Sequence, residues 1–195
     1  MTETGFTNAA IQSAHAFRII MQAMSRPGLP IRMEAALEAP APLHVTSAAV
    51  ALTLCDFQTP VWLSPALSNE KAVKYLRFHT GAPIVDQMED AQFAFLSAEE
   101  QPHPSLFAQG THEYPDRSAT LVIQVEAFNC RAVVLTGPGI KGTMGFGVEG
   151  LPQAFWAAMA ENHARFPVGV DVMFAAPQSL AAVPRSTAVR IAETV

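Results

Sequence analysis

Two runs, Thr120-Leu121-Val122-Ile123-Gln124-Val125 and Ala132-Val133-Val134-Leu135-Thr136, decide how the rest of the chain is read. Both are short, rich in β-branched residues and bounded by polar or small ones, which marks them as strands. Only a few residues around Asn129 separate them, so the spacing predicts an antiparallel hairpin. Working outward, Pro60-Val61-Trp62-Leu63, Ile84-Val85, Phe93-Ala94-Phe95-Leu96 and Gly169-Val170-Asp171-Val172-Met173-Phe174 read as further strands, the last of these being the final strand expected.

Helices are expected between the strands. Thr7 or Asn8 caps a first helix whose apolar positions Ala10, Ala14, Phe17, Met21 and Met24 recur at helical spacing, and Arg26-Pro27-Gly28 ends it. That stripe is expected to face the core, the alternative being a partner surface lined by Met21 and Met24. Thr46 or Ser47 caps a second, nearly all-apolar and buried helix through Val50, Leu52, Leu54 and Cys55. Ser68 or Asn69 caps a third, over residues 70–79, closed by Gly81 and followed by Pro83. A fourth spans residues 151–164, with Pro152 in its first turn. Residues 101–117, with three prolines and two histidines, read as an exposed loop. Interleaved strands and helices with a central hairpin imply an α/β fold, in which a mixed central sheet carries helices on both faces. No repeat or composition break divides the chain, so residues 1–195 are expected to form a single domain.

Composition narrows the function. Charged residues number 29 of 195, or 15%, against roughly 25% in ordinary soluble domains, so part of the surface must be apolar. Disorder requires low hydrophobicity and high net charge, and a nucleic-acid coat requires a basic balance; this chain, at net charge −5, has neither. A domain of this length buries enough surface to stand without disulfides or structural metal. Cys55 and Cys130 have no zinc-type spacing and are expected to be reduced thiols. No signal peptide opens the sequence and no apolar run approaches the roughly 18 residues of a membrane span, so a cytoplasmic protein without membrane contact is expected.

Each candidate for chemistry has a bland counterpart. Gly137-Pro138-Gly139-Ile140-Lys141-Gly142 fits G-x-G-x-x-G after a strand, but no helix begins inside it, so a flexible turn is favoured over a dinucleotide loop. Lys71, Lys74 and Lys141 are the only lysines, and none has the apolar wall or cationic neighbour that prepares a Schiff base, which speaks against pyridoxal phosphate. Arg77 and His79 beside Thr80 suit a phosphate or carboxylate, and equally suit a helix C-terminus. Arg185, with Ser186 and Thr187, is a second anion candidate, the alternative being a solvated tail. Asp171 within an apolar strand must be paired, and an arginine is the expected partner. His103, His112 and His163 lack metal-ligand spacing, and no serine sits in a nucleophile elbow. The sequence therefore offers no catalytic residues, and only Arg77, His79 and Arg185 as anion-binding candidates.

Seven phrases in order carry a resemblance. They are Ala23-Met24-Ser25-Arg26-Pro27-Gly28, Thr59-Pro60-Val61-Trp62-Leu63-Ser64, Leu76-Arg77-Phe78-His79-Thr80-Gly81-Ala82-Pro83, Ser118-Ala119-Thr120-Leu121-Val122-Ile123-Gln124-Val125, Leu135-Thr136-Gly137-Pro138-Gly139-Ile140, Phe166-Pro167-Val168-Gly169-Val170-Asp171 and Pro184-Arg185-Ser186-Thr187. Together they resemble the PhnH family, the H subunit of the bacterial carbon-phosphorus lyase system. The resemblance implies phosphonate utilisation within a complex with G, I and J subunits, and a homodimer. It also implies a fold like the large domain of pyridoxal-phosphate-dependent transferases, without that cofactor. On this reading the chain is a structural or interaction subunit needed to make ribose 1-methylphosphonate 5-triphosphate from ATP and methylphosphonate, and is not catalytic alone. The alternative is an enzyme in its own right that binds a phosphonate, a nucleotide or another phosphorylated small molecule. The resemblance assigns no catalytic residue and says nothing of residues 101–117.

Overall fold

The computed structural model of the protein describes residues 4–101, 103–128 and 132–192. Its main sheet has six strands in the order β1 (Ile31–Arg32), β8 (Ser179–Val183), β7 (Asp171–Ala176), β4 (Thr120–Gln124), β3 (Phe93–Ser97) and β2 (Val61–Leu63). β2, β3, β4 and β7 are parallel, and β8 and β1 complete a mixed sheet by antiparallel pairing. A second, antiparallel sheet joins β6 (Met144–Phe146), β5 (Val133–Thr136) and β9 (Ala188–Ile191). The mixed α/β architecture read from the sequence is therefore present.

The expected hairpin is not. β4 lies in the middle of the main sheet between β3 and β7, whereas β5 belongs to the second sheet. The burial patterns explain the difference. β4 is buried on both faces from Leu121 to Gln124, as the centre of a parallel sheet demands, while β5 alternates from buried Val133 and Leu135 to half-exposed Val134 and exposed Thr136. The tight hairpin is instead β7–β8, turning at Pro177 and Gln178. β8 had no strand signature because Ala181 and Ala182 at its centre carry little β propensity. β1, β6 and β9 were likewise unexpected. Ile84 makes only an isolated bridge to Val61.

Alternating strand residues feed two cores. On one face Val61, Leu63, Phe95, Val122, Met173, Leu180 and Ala182 meet α1 (Ala9–Ser25), α2 (Val45–Leu54) and α3 (Glu70–Thr80). On the other, Trp62, Leu96, Leu121, Ile123, Phe174 and Val183 meet α4 (Gln153–Ala164) and the second sheet. The second core is aromatic, with Trp156, Phe155, Phe146 and Phe174 in mutual ring contact at 5.2–6.2 Å.

The helices begin and end for local reasons. Asn8 Oδ1 accepts the Ile11 N–H at the start of α1, and Asn69 Oδ1 accepts the Ala72 N–H, 2.8 Å, at the start of α3. Gly81 ends α3 in the left-handed conformation, φ 72°, which a side chain disfavours. The N-cap of α2 is His44, two or three residues before the expected caps, and α4 starts at Gln153 with Pro152 as its N-cap. The orientation of α1 differs from expectation more deeply. Ala16, Ile19, Ile20 and Ala23 face the core, whereas Phe17 and Met21 are about half exposed, at 47% and 50%, and Ala10 and Ala14 are exposed. Small residues bring α1 close to the alanines of β8, so the larger apolar stripe is left outside. Residues 101–117 are not simply exposed either: Phe107 is buried and stacks edge-on against Trp62 at 5.6 Å.

Candidate functional site

The sequence candidates and the main cleft fall at opposite edges of the parallel strands. At the amino edge, Arg185 follows β8 and Asp171 opens β7, so the antiparallel hairpin brings them together. Arg185 Nη2 lies 2.5 Å from Asp171 Oδ2, Nε donates to Oδ1 at 3.1 Å, and the Arg185 backbone N–H donates to the same Oδ1 at 2.8 Å. Nη1 donates to the Pro115 carbonyl at 2.7 Å, and His163 Nδ1 lies 3.0 Å from the Arg185 carbonyl. The side chains are only 14% and 17% exposed. This is the arginine partner expected for Asp171, in a two-pronged, largely desolvated pair. The carboxylate and the Pro115 carbonyl occupy the guanidinium, and Thr187 is buried, so this segment is part of the fold rather than a solvated tail.

Arg77 and His79 sit on the last turn of α3, two positions apart, and point in different directions. Arg77 is exposed in an open surface hollow beside Lys74 and Phe78. His79 is half-buried between the rings of Tyr75 (4.5 Å) and Phe78 (5.0 Å), and Gly5 is packed so closely on it that a Cβ there would fall 2.6 Å from Nδ1. No hydrogen bond or ion pair among the described residues links either to Arg185.

The glycine-rich turn also has a structural use. A Cβ on Gly139, φ 82°, would fall 2.1 Å from the Ser25 carbonyl at the end of α1. Close backbone approach, rather than a phosphate, accounts for that glycine. Lys71, Lys74 and Lys141 are all exposed.

At the carboxyl edge the structure opens a cleft of about 450 Å³, for which the sequence reading had no candidate. Gln124, at the end of β4 and 6% exposed, accepts the His44 backbone N–H through Oε1 at 2.7 Å and donates through Nε2 to the Pro42 carbonyl at 3.0 Å. It thereby fixes the start of α2 over the sheet. His44 Nδ1 lies 3.2 Å from the Ala175 carbonyl, and Nε2 is 3.9 Å from Glu126 Oε1. Glu100 ties two strand ends together, accepting from the Ala66 N–H at 3.0 Å and the Ser97 N–H at 3.1 Å. Glu99, Glu126 and Glu149 line the cleft. Their charge disfavours an anionic ligand, and among the described residues His44 is the one lining side chain able to carry a positive charge. Among the described residues no group of three or more His, Cys, Asp or Glu side chains is placed to hold a metal ion. Gln124 was overlooked because it was read as part of an apolar strand; a buried amide there called for the same question as Asp171.

Cys55, at the C-terminus of α2, is a buried free thiol whose pKa burial pushes up to about 12, with the Asp56 carboxylate adding to the effect. It is inert at neutral pH. Cys130 lies outside the described residues. No helix among the described residues is long and apolar enough to cross a membrane.

Residues 4–190 match the family described as bacterial phosphonate metabolism protein (PhnH), a span that takes in all four helices and both edges of the sheet. The chain belongs to the PhnH family. Among PhnH relatives, it is 44% identical over 184 residues to the Rhizobium meliloti protein named alpha-D-ribose 1-methylphosphonate 5-triphosphate synthase subunit PhnH, covering 93% of this chain and 92% of that one. It is 28% identical over 204 residues to HtxG of Stutzerimonas stutzeri, named provisionally as a C-P lyase subunit, covering 98% and 97%. These names bring a PhnH-type subunit into view.

Proposed function

We propose that this chain is a subunit of a bacterial carbon-phosphorus lyase assembly, serving phosphonate utilisation as a structural and interaction component of the machinery that forms ribose 1-methylphosphonate 5-triphosphate. The observation that carries this reading is the 44% identity, over nearly the full length of both chains, to a protein named as a subunit of that synthase. The surface supports it. Ile11, Phe17 and Met21 on α1, Phe57 after α2 and Phe78 on α3 are exposed, so one helical layer presents large apolar side chains to the outside.

In the proposed assembly the chain acts as one domain in the cytoplasm, pairs with a second copy, and meets G, I and J subunits. The large domain of the pyridoxal-phosphate-dependent transferases, without the cofactor, is the fold proposed for it. The alternative, an enzyme holding a phosphonate or nucleotide through Arg77, His79 and Arg185, is less well supported, because Arg185 is already paired with Asp171 and Arg77 stands apart from it. The test is to express the chain with tagged G, I and J subunits. Co-purification, with turnover of ATP and methylphosphonate only by the assembly, is expected. Turnover by the isolated chain would overturn the subunit reading.

A further inference from the structure

A second cavity of about 280 Å³ lies just beyond the Ser97–Glu100 turn from the carboxyl-edge cleft. Its walls are Trp62, Met88, Leu96, Leu106 and Phe107, with Ser64 among them. Its position follows from the topology. After β2 the chain turns into α3 on one face of the sheet, while after β3 it turns toward Phe107 on the other face. The two exits diverge and leave a crevice at the carboxyl ends of adjacent parallel strands, the place where open α/β sheets bind ligands.

Three features of the lining specify what fits. The volume lies just below the roughly 300–1,000 Å³ of pockets for drug-sized molecules, so it suits one ring system rather than a whole nucleotide. The rings of Trp62 and Phe107 meet edge to face at an interplanar angle of 72°, and the Met88 thioether joins them, a wall that favours a flat aromatic group. Ser64 is 1% exposed, and its hydroxyl has no hydrogen-bond partner among the described residues. Ser47, Ser118 and Thr187 also have orphan hydroxyls, but these residues line neither this cavity nor the cleft. An unpaired hydroxyl in an apolar cavity is a cost to the free protein that a polar ligand atom removes.

The rim adds two constraints. Among the described residues no Arg or Lys lines the cavity; Glu100 is tied to Ala66 and Ser97, and His103 Nδ1 is 2.8 Å from Ser105 Oγ. A phosphate or phosphonate would therefore find no counter-charge. Gln101, also on the rim, is the one non-glycine residue with positive φ among the described residues, at 49°. Backbone strain of this kind concentrates at ligand sites.

We propose that this cavity binds a neutral, flat heteroaromatic group of nucleobase size, with Ser64 Oγ hydrogen-bonded to its edge. The proposal does not depend on membership of an assembly. Its test uses the full chain labelled with ¹⁵N and titrated separately with adenine and indole up to about 5 mM, a range that detects fragment-strength binding. Saturable shifts from at least one probe, centred on Trp62, Leu96, Leu106 and Phe107 and absent with methylphosphonate, are expected. Ser64→Ala should weaken that binding about 5–10-fold, the size of one hydrogen bond, and leave Tm unchanged or raise it, because the hydroxyl has no partner to lose among the described residues. The proposal is overturned if neither probe shifts these residues or if methylphosphonate does. It also fails if Ser64→Ala binds as the parent does, or if its Tm falls by several degrees, which would make Ser64 a structural residue.

Discussion

The two edges of the parallel strands treat their polar groups in opposite ways. At the amino edge Asp171, Arg185, His163 and the Pro115 carbonyl form a closed set, and Asn162 of α4, fully buried, brackets Val170 by accepting its N–H and donating to its carbonyl at 2.9 Å each. At the carboxyl edge the polar groups surround space, with a cleft over Gln124 and a cavity beside Ser64. The one charge pair that the sequence pointed to, at Asp171, thus went into holding the fold. The buried hydroxyl of Ser64, by contrast, is left without a partner among the described residues where a strand ends.

That contrast can be broken by measuring how much each edge contributes to stability. The largest effect is expected from Asp171→Ala, which strands a largely buried guanidinium and should cost about 3–5 kcal/mol. For a chain of this size that corresponds to a fall in Tm of roughly 6–20 °C. A loss below about 1 kcal/mol would mean that the amino edge is not locked by this pair. Asn162→Ala comes next, at about 2 kcal/mol, because it leaves the Val170 N–H and carbonyl buried without partners. Urea unfolding would measure it.

Gln124→Ala tests the carboxyl edge. It frees the His44 N–H and Pro42 carbonyl beside an open cleft where water replaces the amide, so about 1 kcal/mol is expected, smaller than for Asn162. A larger loss at Gln124 than at Asn162 would reverse the comparison.

Cys55 gives a pH test at the amino end of β2. Its folded pKa is raised from the ordinary 9.0 to about 12, so burial of the neutral thiol favours the fold fully below pH 9, and this contribution is lost as pH rises from 9 toward 12. Unfolding measured from pH 8 to 10.5 should show roughly the first half of that decline, and Cys55→Ala should remove the cysteine's share of it. The smallest effect belongs to Arg77→Ala, within about 0.5 kcal/mol, since the side chain is exposed.

What was legible in the sequence depended on whether the signal was local. Asn69 and Gly81 delimit α3 with side-chain and backbone chemistry that acts within a few residues, and that helix was read within a residue of its ends. The need of Asp171 for an arginine was also legible, since a carboxylate in an apolar strand has few options. Which arginine it meets depends on the β7–β8 hairpin, and that hairpin was hidden because the alanines in the middle of β8 do not look like a strand. The false hairpin at 120–136 came from treating two β-branched runs alike. In sequence both runs are continuously apolar, so the difference between Leu121-Val122-Ile123 and Val133-Val134-Leu135-Thr136 lies in their burial, which depends on the sheet each joins. The face of α1 was misread because two stripes at helical spacing compete, one through Ala10, Ala14, Phe17, Met21 and Met24 and one through Ala16, Ile19, Ile20 and Ala23, and contact with α2 and β8 decides between them. Neither carboxyl-edge cavity was legible, because each is assembled from strand ends far apart in the chain and is defined by empty space.

The contact at Gly139 has a mechanical consequence. The second sheet and α1 lie against opposite faces of the main sheet, yet the turn after β5 touches the Ser25 carbonyl with no side chain between them, and Gly28 beside it fills the space between Leu135 and Met144. Two backbones in direct contact have no rotamers with which to absorb a displacement. Any protein that grips the outer stripe of α1 therefore also holds the second sheet, which makes the two layers a single lever around the β8 edge.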